Sequence, residues 1–195
     1  RQGRSNVVIL GGRNRAEIET CLDSIRAHTW VAYDVVIVGQ EVDEDTANWL
    51  NELAEEENIR CYNAPSGVNT AKAINEGLVR ANGLFVALVN TATRVTPNWL
   101  GRSQWWLSKN PEFGVVFPDV VPVAEVDQAA PARRTTDWGR STALNRLDPH
   151  CLVMGRGVLD RVGGMNITLG ADGYEFDDFS LRVECAGYGS HRIHD

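Results

Sequence analysis

The sequence predicts an α/β protein: a three-layer sandwich built around a mostly parallel central sheet. Three observations carry this expectation. Apolar runs alternate with amphipathic stretches from the first residues onward, the pattern of repeated βαβ units. The runs are continuous rather than alternating, as strands covered on both faces must be; they include Val7-Val8-Ile9-Leu10, Val35-Val36-Ile37-Val38 and the longest, Leu84-Phe85-Val86-Ala87-Leu88-Val89. A chain of 195 residues, 43% hydrophobic and 23% charged, can fill one full core. No apolar run reaches the length of a membrane span and no secretory signal is visible.

The elements follow in order. The first strand ends at Gly11-Gly12. Asn14 then reads as a helix cap, with Glu17 three residues on as its capping-box partner. Ile18, Cys21, Leu22 and Ile25 share the i, i+3, i+4, i+7 spacing of one buried face. The second strand ends at Gly39. A helix from about Asp45 carries Trp49, Leu50, Leu53 and Ala54 on one side, and Ile59-Arg60-Cys61-Tyr62 is a short third strand. A helix over 71–81 turns Ala73, Ile74, Gly77 and Leu78 inward. The strand 84–89 then empties into Asn90-Thr91-Ala92-Thr93. Thr96 as N-cap and Pro97 at the first helical position open a helix containing Trp99, Leu100, Trp105, Trp106 and Leu107. A fifth strand covers 114–117. From 118 to 149 the periodicity fades into a long loop rich in Pro, Ala, Asp and Arg. Strand character returns at 151–154, a short helix spans 158–162 before Gly163-Gly164, and a last helix runs from Asp178 to Ala186, closed by Gly187.

The formal net charge of −7 weighs against a nucleic-acid partner. Apart from Lys72 and Lys109 the basic residues are all arginines, which suit phosphate and carboxylate recognition. The four cysteines, Cys21, Cys61, Cys151 and Cys185, form no C-x-x-C pair and read as small buried hydrophobes in a reducing compartment, which places the chain in the cytoplasm. Gly11-Gly12 is not a G-x-G-x-x-G turn and no P-loop is present. Ligands of open α/β sheets bind beyond the carboxyl ends of the strands. That rule points to the loop after Val89, which holds an amide, two hydroxyls and a methyl but neither carboxylate nor histidine.

Four pieces in this order resemble the family 2 glycosyltransferases, which have the GT-A fold. Gly12-Arg13-Asn14-Arg15 and Cys21-Leu22-Asp23-Ser24-Ile25 are similar to the family's opening turn and C-L-x-S-I helix. Ala71, Ala73, Asn75 and Gly77 resemble its A-x-A-x-N-x-G helix. Val95-Thr96-Pro97-Asn98-Trp99-Leu100 looks like the V-T-P-x-W-L that follows the metal motif. Val162-Gly163-Gly164-Met165, Asp178 to Arg182 and Ala186-Gly187-Tyr188 resemble its V-G-G-F, E-D-x-D-L-x-x-R and A-G-Y ending. The resemblance covers 6–195. It implies a nucleotide-binding-like half, 6–100, and an acceptor-side half, 101–195, within a single GT-A-like domain.

The activity so implied is transfer of a sugar from a nucleotide-sugar donor to a glycan or other hydroxyl acceptor, with inversion. Donor-binding positions fall on Gly12, Arg13, Asn14, Gly39, Asn90 and Thr91, and the base among Glu175, Asp177 and Asp178. Fused domains or a second copy of the chain are further expected partners. The departures are as specific as the matches. Asn90-Thr91-Ala92 stands where the family has its D-x-D metal motif, Gly39 replaces an Asp beside the nucleotide base, Ile74 replaces an Arg, and Phe176 takes the Asp of E-D. The divalent cofactor usual in the family therefore lacks its ligands, because neutral oxygens do not supply the charge that binds Mg²⁺ or Mn²⁺.

Each position also has a plainer reading. Asn90 and Thr91 can simply cap backbone groups at a strand end. Glu175, Asp177 and Asp178 can be an acidic first turn favoured by the helix dipole. With Asp172, His191 and His194 they are also candidate ligands of a relocated metal. Among Glu41, Asp43, Glu44 and Asp45, one acid can replace the missing ribose partner; otherwise they form a solvated helix start. Trp105 and Trp106 read as core and edge packing, and Trp138, among Arg133, Arg134 and Arg140, as an acceptor contact or a lid residue. Two functions remain open. One is a metal-independent transferase in which Arg13, Arg15 or an arginine of 133–146 neutralises the diphosphate. The other is an inactive GT-A-like module for structure or interaction.

Overall fold

The computed structural model describes residues 4–122, 139–144, 147–169 and 173–194. Eight strands form one sheet: β1 (Ser5–Leu10), β2 (Tyr33–Gln40), β3 (Ile59–Ala64), β4 (Phe85–Asn90), β6 (Phe113–Pro118), β8 (Ser141–Leu144), β9 (Cys151–Gly155) and β10 (Gly189–Ile193). Their order is β3-β2-β1-β4-β9-β6-β10-β8. β3, β2, β1 and β4 pair in parallel. β9 runs antiparallel between β4 and β6, β10 is parallel to β6, and β8 closes the far edge antiparallel to β10. A separate ribbon joins β5 (Thr93–Val95) to β7 (Val120–Pro122).

Helices cover both faces. α1 (Arg15–His28), α2 (Glu44–Leu53) and α4 (Trp99–Lys109) bury Ile18, Cys21, Leu22, Ile25, Leu50, Trp99 and Leu100 against Val7, Ile9, Val35, Ile37, Ala87 and Val89. α3 (Thr70–Arg80), α5 (Arg156–Val162) and α6 (Glu175–Cys185) bury Ala73, Ile74, Leu78, Val158, Phe179 and Val183 against the alternate residues Val8, Leu10, Val36, Val38, Val86 and Leu88. The sandwich thus has three layers, and the continuous apolar strands are explained: even and odd residues of β1, β2 and β4 face two different cores.

α1 begins as its sequence predicts. Asn14 accepts from the Glu17 backbone N–H at 3.1 Å, while Glu17 returns a bond to the Arg13 N–H at 3.3 Å and another to the Asn14 amide. α4 does not. Thr96 is not its cap: Trp99 N–H donates to the Thr96 carbonyl at 3.2 Å, closing a turn through Pro97 and Asn98, and the helix starts only at Trp99 with Asn98 left-handed (φ 57°). The buried Trp99 explains the delay, because its indole N–H reaches Thr29 Oγ1 at 2.8 Å and fixes where the first turn lies. In α2, Ala54 is exposed as the C-cap rather than inward-facing, and Trp49 is half-buried under the Arg15 guanidinium. The last helix begins at Glu175, three residues before the expected Asp178. Cys185, at its end, is exposed rather than buried.

The stretch 118–149 contains strands β7 and β8, and β10 follows the last helix where the sequence predicts no strand. These are short or edge strands whose pairing is set by partners distant in sequence, so they lack the apolar run that marks β1 or β4. Trp105 and Trp106 do pack on the edge: Trp106 meets Trp105 edge-on at 5.3 Å and stacks on Phe113 at 5.9 Å. Trp138, Arg133, Arg134, Asp172 and residue 146 lie outside the described residues.

Candidate functional site

A cavity of about 390 Å³ opens at the carboxyl ends of β1 and β2, lined by Gly11, Gly12, Arg13, Gln40, Glu41, Val68, Asn69 and Thr70. Its floor is backbone. Gly11 and Gly12 have φ of +86° and +85°, a conformation side chains disfavour, and a Cβ on Gly12 would lie 2.5 Å from Ile18. The chain therefore leaves β1 as a bare turn that a ligand can approach closely. Its far wall is the start of α3, whose cap Asn69 accepts from the Lys72 N–H at 2.9 Å. The N-terminus of a helix presents partial positive charge. Arg13 and Glu41 supply the two charged side chains of the lining, and Glu41 itself sits in a left-handed turn (φ 53°).

Of the expected donor residues, Gly12 and Arg13 line this cavity. Asn14 is spent as the α1 cap. Gly39 stands behind the cavity rather than in its wall: a Cβ there would meet Val42 at 3.0 Å, Asn63 at 3.1 Å and Leu50 at 3.3 Å. The loss of a side chain at this position is thus coupled to tight packing of α2 and β3 beneath it. Of the acids at 41–45, Glu41 faces the cavity, while Asp43 caps α2 through the Thr46 N–H at 2.7 Å; hydrogen bonding to Thr46 lowers its pKa. Arg15 pairs with Glu19 and lies over Trp49, turned to the α2 side.

The loop after β4 is closed on itself. Asn90 Oδ1 accepts from the Ala92 N–H at 2.8 Å, an Asx turn. Its carbonyl accepts from the Thr93 hydroxyl at 2.5 Å, and the Thr91 N–H returns to the Leu10 carbonyl at 3.2 Å. Thr91 is buried. Arg94, which the sequence did not single out, donates to the carbonyls of Thr91 at 3.2 Å and Thr93 at 2.9 Å. This loop does not fit a divalent cation. Its one side-chain amide oxygen is engaged, a guanidinium stands against its carbonyls, and among the described residues no three His, Cys, Asp or Glu side chains gather as ligands.

The relocated metal site is likewise not assembled from described residues. His191 stacks on Phe113 at 3.5 Å, and burial lowers its pKa against a smaller opposing pull from Glu112. His194 instead approaches Asp119 at 3.5 Å and Thr142 at 3.1 Å. The acids of α6 occupy three different environments. Glu175 is 5% exposed and its Oε2 is enclosed without a hydrogen-bond partner among the described residues. Asp178 accepts from Arg182 at 2.8 Å, and the same guanidinium holds the carbonyls of Val162 and Gly164. Asp177 lies one turn before Ser180, whose hydroxyl accepts from the Leu147 N–H at 2.8 Å. Glu175 through Asp178 are consecutive helical residues, so Asp177 points about 100° around the helix from Phe176.

The segment 147–150 therefore ties α6 to the loop after β4, because the next bond along it runs from the Asn90 N–H to the His150 carbonyl at 2.9 Å. It carries Asp148 and His150, which sequence spacing gave no reason to select. Buried thiols complete the surroundings: burial raises the Cys21 pKa to about 12, partly offset by Arg94, and raises that of Cys151.

A mostly parallel sheet whose strand order reverses between β1 and β4, with a backbone-floored cavity at the carboxyl ends of β1 and β2, defines an α/β protein of the GT-A type. The comparisons then fix the family. The model of "Glycosyl transferase family 2" matches residues 7–154, and the chain belongs to that family. It is 29% identical over 175 residues to the O-antigen biosynthesis protein RfbC of Myxococcus xanthus, covering 87% of this chain but 13% of that protein. Among solved structures it is similar to mannosyltransferase PcManGT from Pyrobaculum calidifontis in complex with GDP-Man and Mn²⁺, with a TM-score of 0.70 and 17% identity over 99% of this chain and 57% of that one. It is also similar to GalNAc-T7 with UDP, GalNAc and Mn²⁺, with a TM-score of 0.78 and 12% identity over 97% of this chain and 42% of that one. For S. aureus TarS 1–349 the TM-score is 0.71 and the identity 14%, over 98% and 58% of the two chains. No described helix is long and apolar enough to cross a membrane.

Proposed function

We propose that this domain binds a nucleotide sugar in the β1–β2 cavity and transfers the sugar, with inversion and without a divalent metal, to a hydroxyl of a glycan or similar acceptor. The observation that carries the proposal is the cavity itself: two left-handed glycines and the start of α3 leave backbone polarity open to an anionic ligand of nucleotide size. Arg13 faces the diphosphate and takes over the neutralising role through charge-assisted bonds. Glu41 is the carboxylate available to ribose hydroxyls. Gly12, Asn14, Gly39, Asn90 and Thr91 act as framework: a bare turn, a helix cap, a close-packed strand end and a self-closed loop. On the acceptor side, the first-turn acids of α6 occupy the stretch where family resemblance expects the base. The GDP-Man and Mn²⁺ complex of PcManGT and the UDP, GalNAc and Mn²⁺ complex of GalNAc-T7 support the ligand class and set the contrast in metal use.

Calorimetry with UDP-, GDP- and dTDP-sugars tests this reading. The expected result is binding heat that Mn²⁺ leaves unchanged. Absence of heat with every donor at millimolar concentration overturns it. One observation favours a second reading, an inactive module: the backbone groups of Asn90 and Thr91 and the Asn90 side-chain oxygen bond within the fold. Binding of nucleoside diphosphate without turnover of any donor is the outcome that reading expects.

A further inference from the structure

Between β8 and β9 stands a side-chain arrangement that the family motifs do not contain. Asp148 Oδ1 lies 2.7 Å from His150 Nδ1 and accepts from the His150 backbone N–H at 2.9 Å. Its Oδ2 accepts from Arg192 at 2.8 Å. Both carboxylate oxygens are thus engaged, and the one facing the ring draws the imidazole proton to Nδ1. That tautomer leaves the Nε2 lone pair as an acceptor. The His150 side chain is 59% exposed and that of Asp148 is 23% exposed. The ring reaches solvent while the group that orients it is shielded.

The position matters as much as the pair. The His150 carbonyl holds the N–H of Asn90, the first residue of the loop that replaces the metal motif. Three residues earlier, Leu147 is held by Ser180, one helical turn from Asp177. The dyad therefore sits on the four-residue bridge between the two places where the transfer chemistry of this fold is expected. At those places Glu175 is enclosed, Asp178 is clamped by Arg182, and the loop offers no carboxylate.

We infer that His150, oriented by Asp148, is the general base of the transfer; this rests on the transferase reading above. In the step, Nε2 takes the proton of the acceptor hydroxyl. The acceptor oxygen forms its bond to the anomeric carbon on one face as the bond to the diphosphate oxygen breaks on the other, and that electron pair departs with the nucleoside diphosphate. The imidazolium so formed faces the Asp148 carboxylate, then returns its proton to water. Asp148 is a positioning residue, holding the tautomer as the acid of a hydrolase triad does. Arg192 holds Asp148 in turn.

The test measures nucleoside diphosphate release from UDP-, GDP- and dTDP-sugars, with water as acceptor, in the wild-type chain and in His150→Gln, Asp148→Asn and Asp177→Asn. His150→Gln is expected to lower kcat about 100-fold or more while leaving the donor KM unchanged. Asp148→Asn is expected to lower kcat as well and, in ¹⁵N-edited NMR spectra, to shift His150 away from the Nδ1-protonated tautomer expected in the wild type. A purely structural role would let the tautomer shift but leave kcat unchanged at constant KM. If wild-type turnover persists in His150→Gln, or if Asp177→Asn alone abolishes it, the base assignment falls and the transferase reading stands. If the wild type releases no nucleoside diphosphate from any donor, the transferase reading falls and takes the base with it.

Discussion

The turn after β1 and the loop after β4 sit at the same end of the sheet, yet they are built from different materials. The first is backbone: two left-handed glycines, a capped helix on one side and the start of α3 on the other. The second is made of side chains that bond back to their own loop, with Arg94 held against its carbonyls. The turn after β1 therefore keeps an open cavity, whereas the loop where acids are expected is a closed turn. Backbone-made features depend on conformation and survive substitution around them. Side-chain-made features vanish with one change of residue, as at Asn90, Gly39 and Ile74. The same contrast underlies the proposed metal independence: the fold of the Mn²⁺-containing neighbours is kept, while the loop after β4 carries no carboxylate.

The sharpest way to break this contrast is at the glycine turn. Gly12→Ala forces a left-handed alanine whose Cβ meets Ile18 at 2.5 Å. It is expected to lower unfolding free energy by about 2–4 kcal/mol, read from urea midpoints, and to close the cavity to nucleotides. Next in size, Arg13→Ala is expected to weaken nucleoside diphosphate binding about tenfold, ~1.4 kcal/mol, with stability unchanged in the same urea series. An unchanged affinity would move the neutralising charge elsewhere.

The loop after β4 gives smaller effects. Asn90→Ala deletes the bond to the Ala92 N–H and is expected to cost about 1 kcal/mol. Asn90→Asp keeps an acceptor there and is expected to stay within about 0.5 kcal/mol of wild type. Differential scanning fluorimetry with added Mn²⁺ should show no stabilisation of Asn90→Asp, because a single carboxylate beside Arg94 is not a ligand set; a Mn²⁺-dependent rise in Tm would show that the loop retains a latent metal site. The smallest effect concerns His191. Burial lowers its pKa from the ordinary 6.5, so the folded state favours the neutral ring. The stabilisation is complete above the unfolded value and is lost as pH falls through the lowered folded value, where the unfolded chain binds the extra proton. His191→Phe keeps a ring on Phe113 and should show a smaller drop in urea midpoint than wild type between neutral and mildly acidic pH.

Local pattern made much of this fold legible. The strands at 7–10, 35–38 and 84–89, the Asn14 cap, and the inward faces of α1 and α3 all follow from short-range periodicity and are where the sequence places them. The start of α4 was not legible, because Trp99 reaches across to Thr29 and that bond sets the first turn. Strands β8 and β10 were not legible either; each is defined by its neighbour and has no continuous apolar run. Within the site, Gly12 and Arg13 could be read from the turn that contains them. Asp148 and His150 could not, since nothing in their spacing joins them to β4 or to Arg192.

What the sequence determined by itself was the family and the absence of acids at 90–92, since both depend only on which residues stand in which order. What only the tertiary structure decided was the meaning of that absence. It shows the loop after β4 held to Leu10 and His150, Gly39 sealed behind the cavity, and Arg192 joined to Asp148 on the bridge between β4 and α6. The physical reason is range. Propensity and periodicity act over a few residues along the chain, while hydrogen bonds and charge act across space between residues that the sheet brings together from 28 to 192.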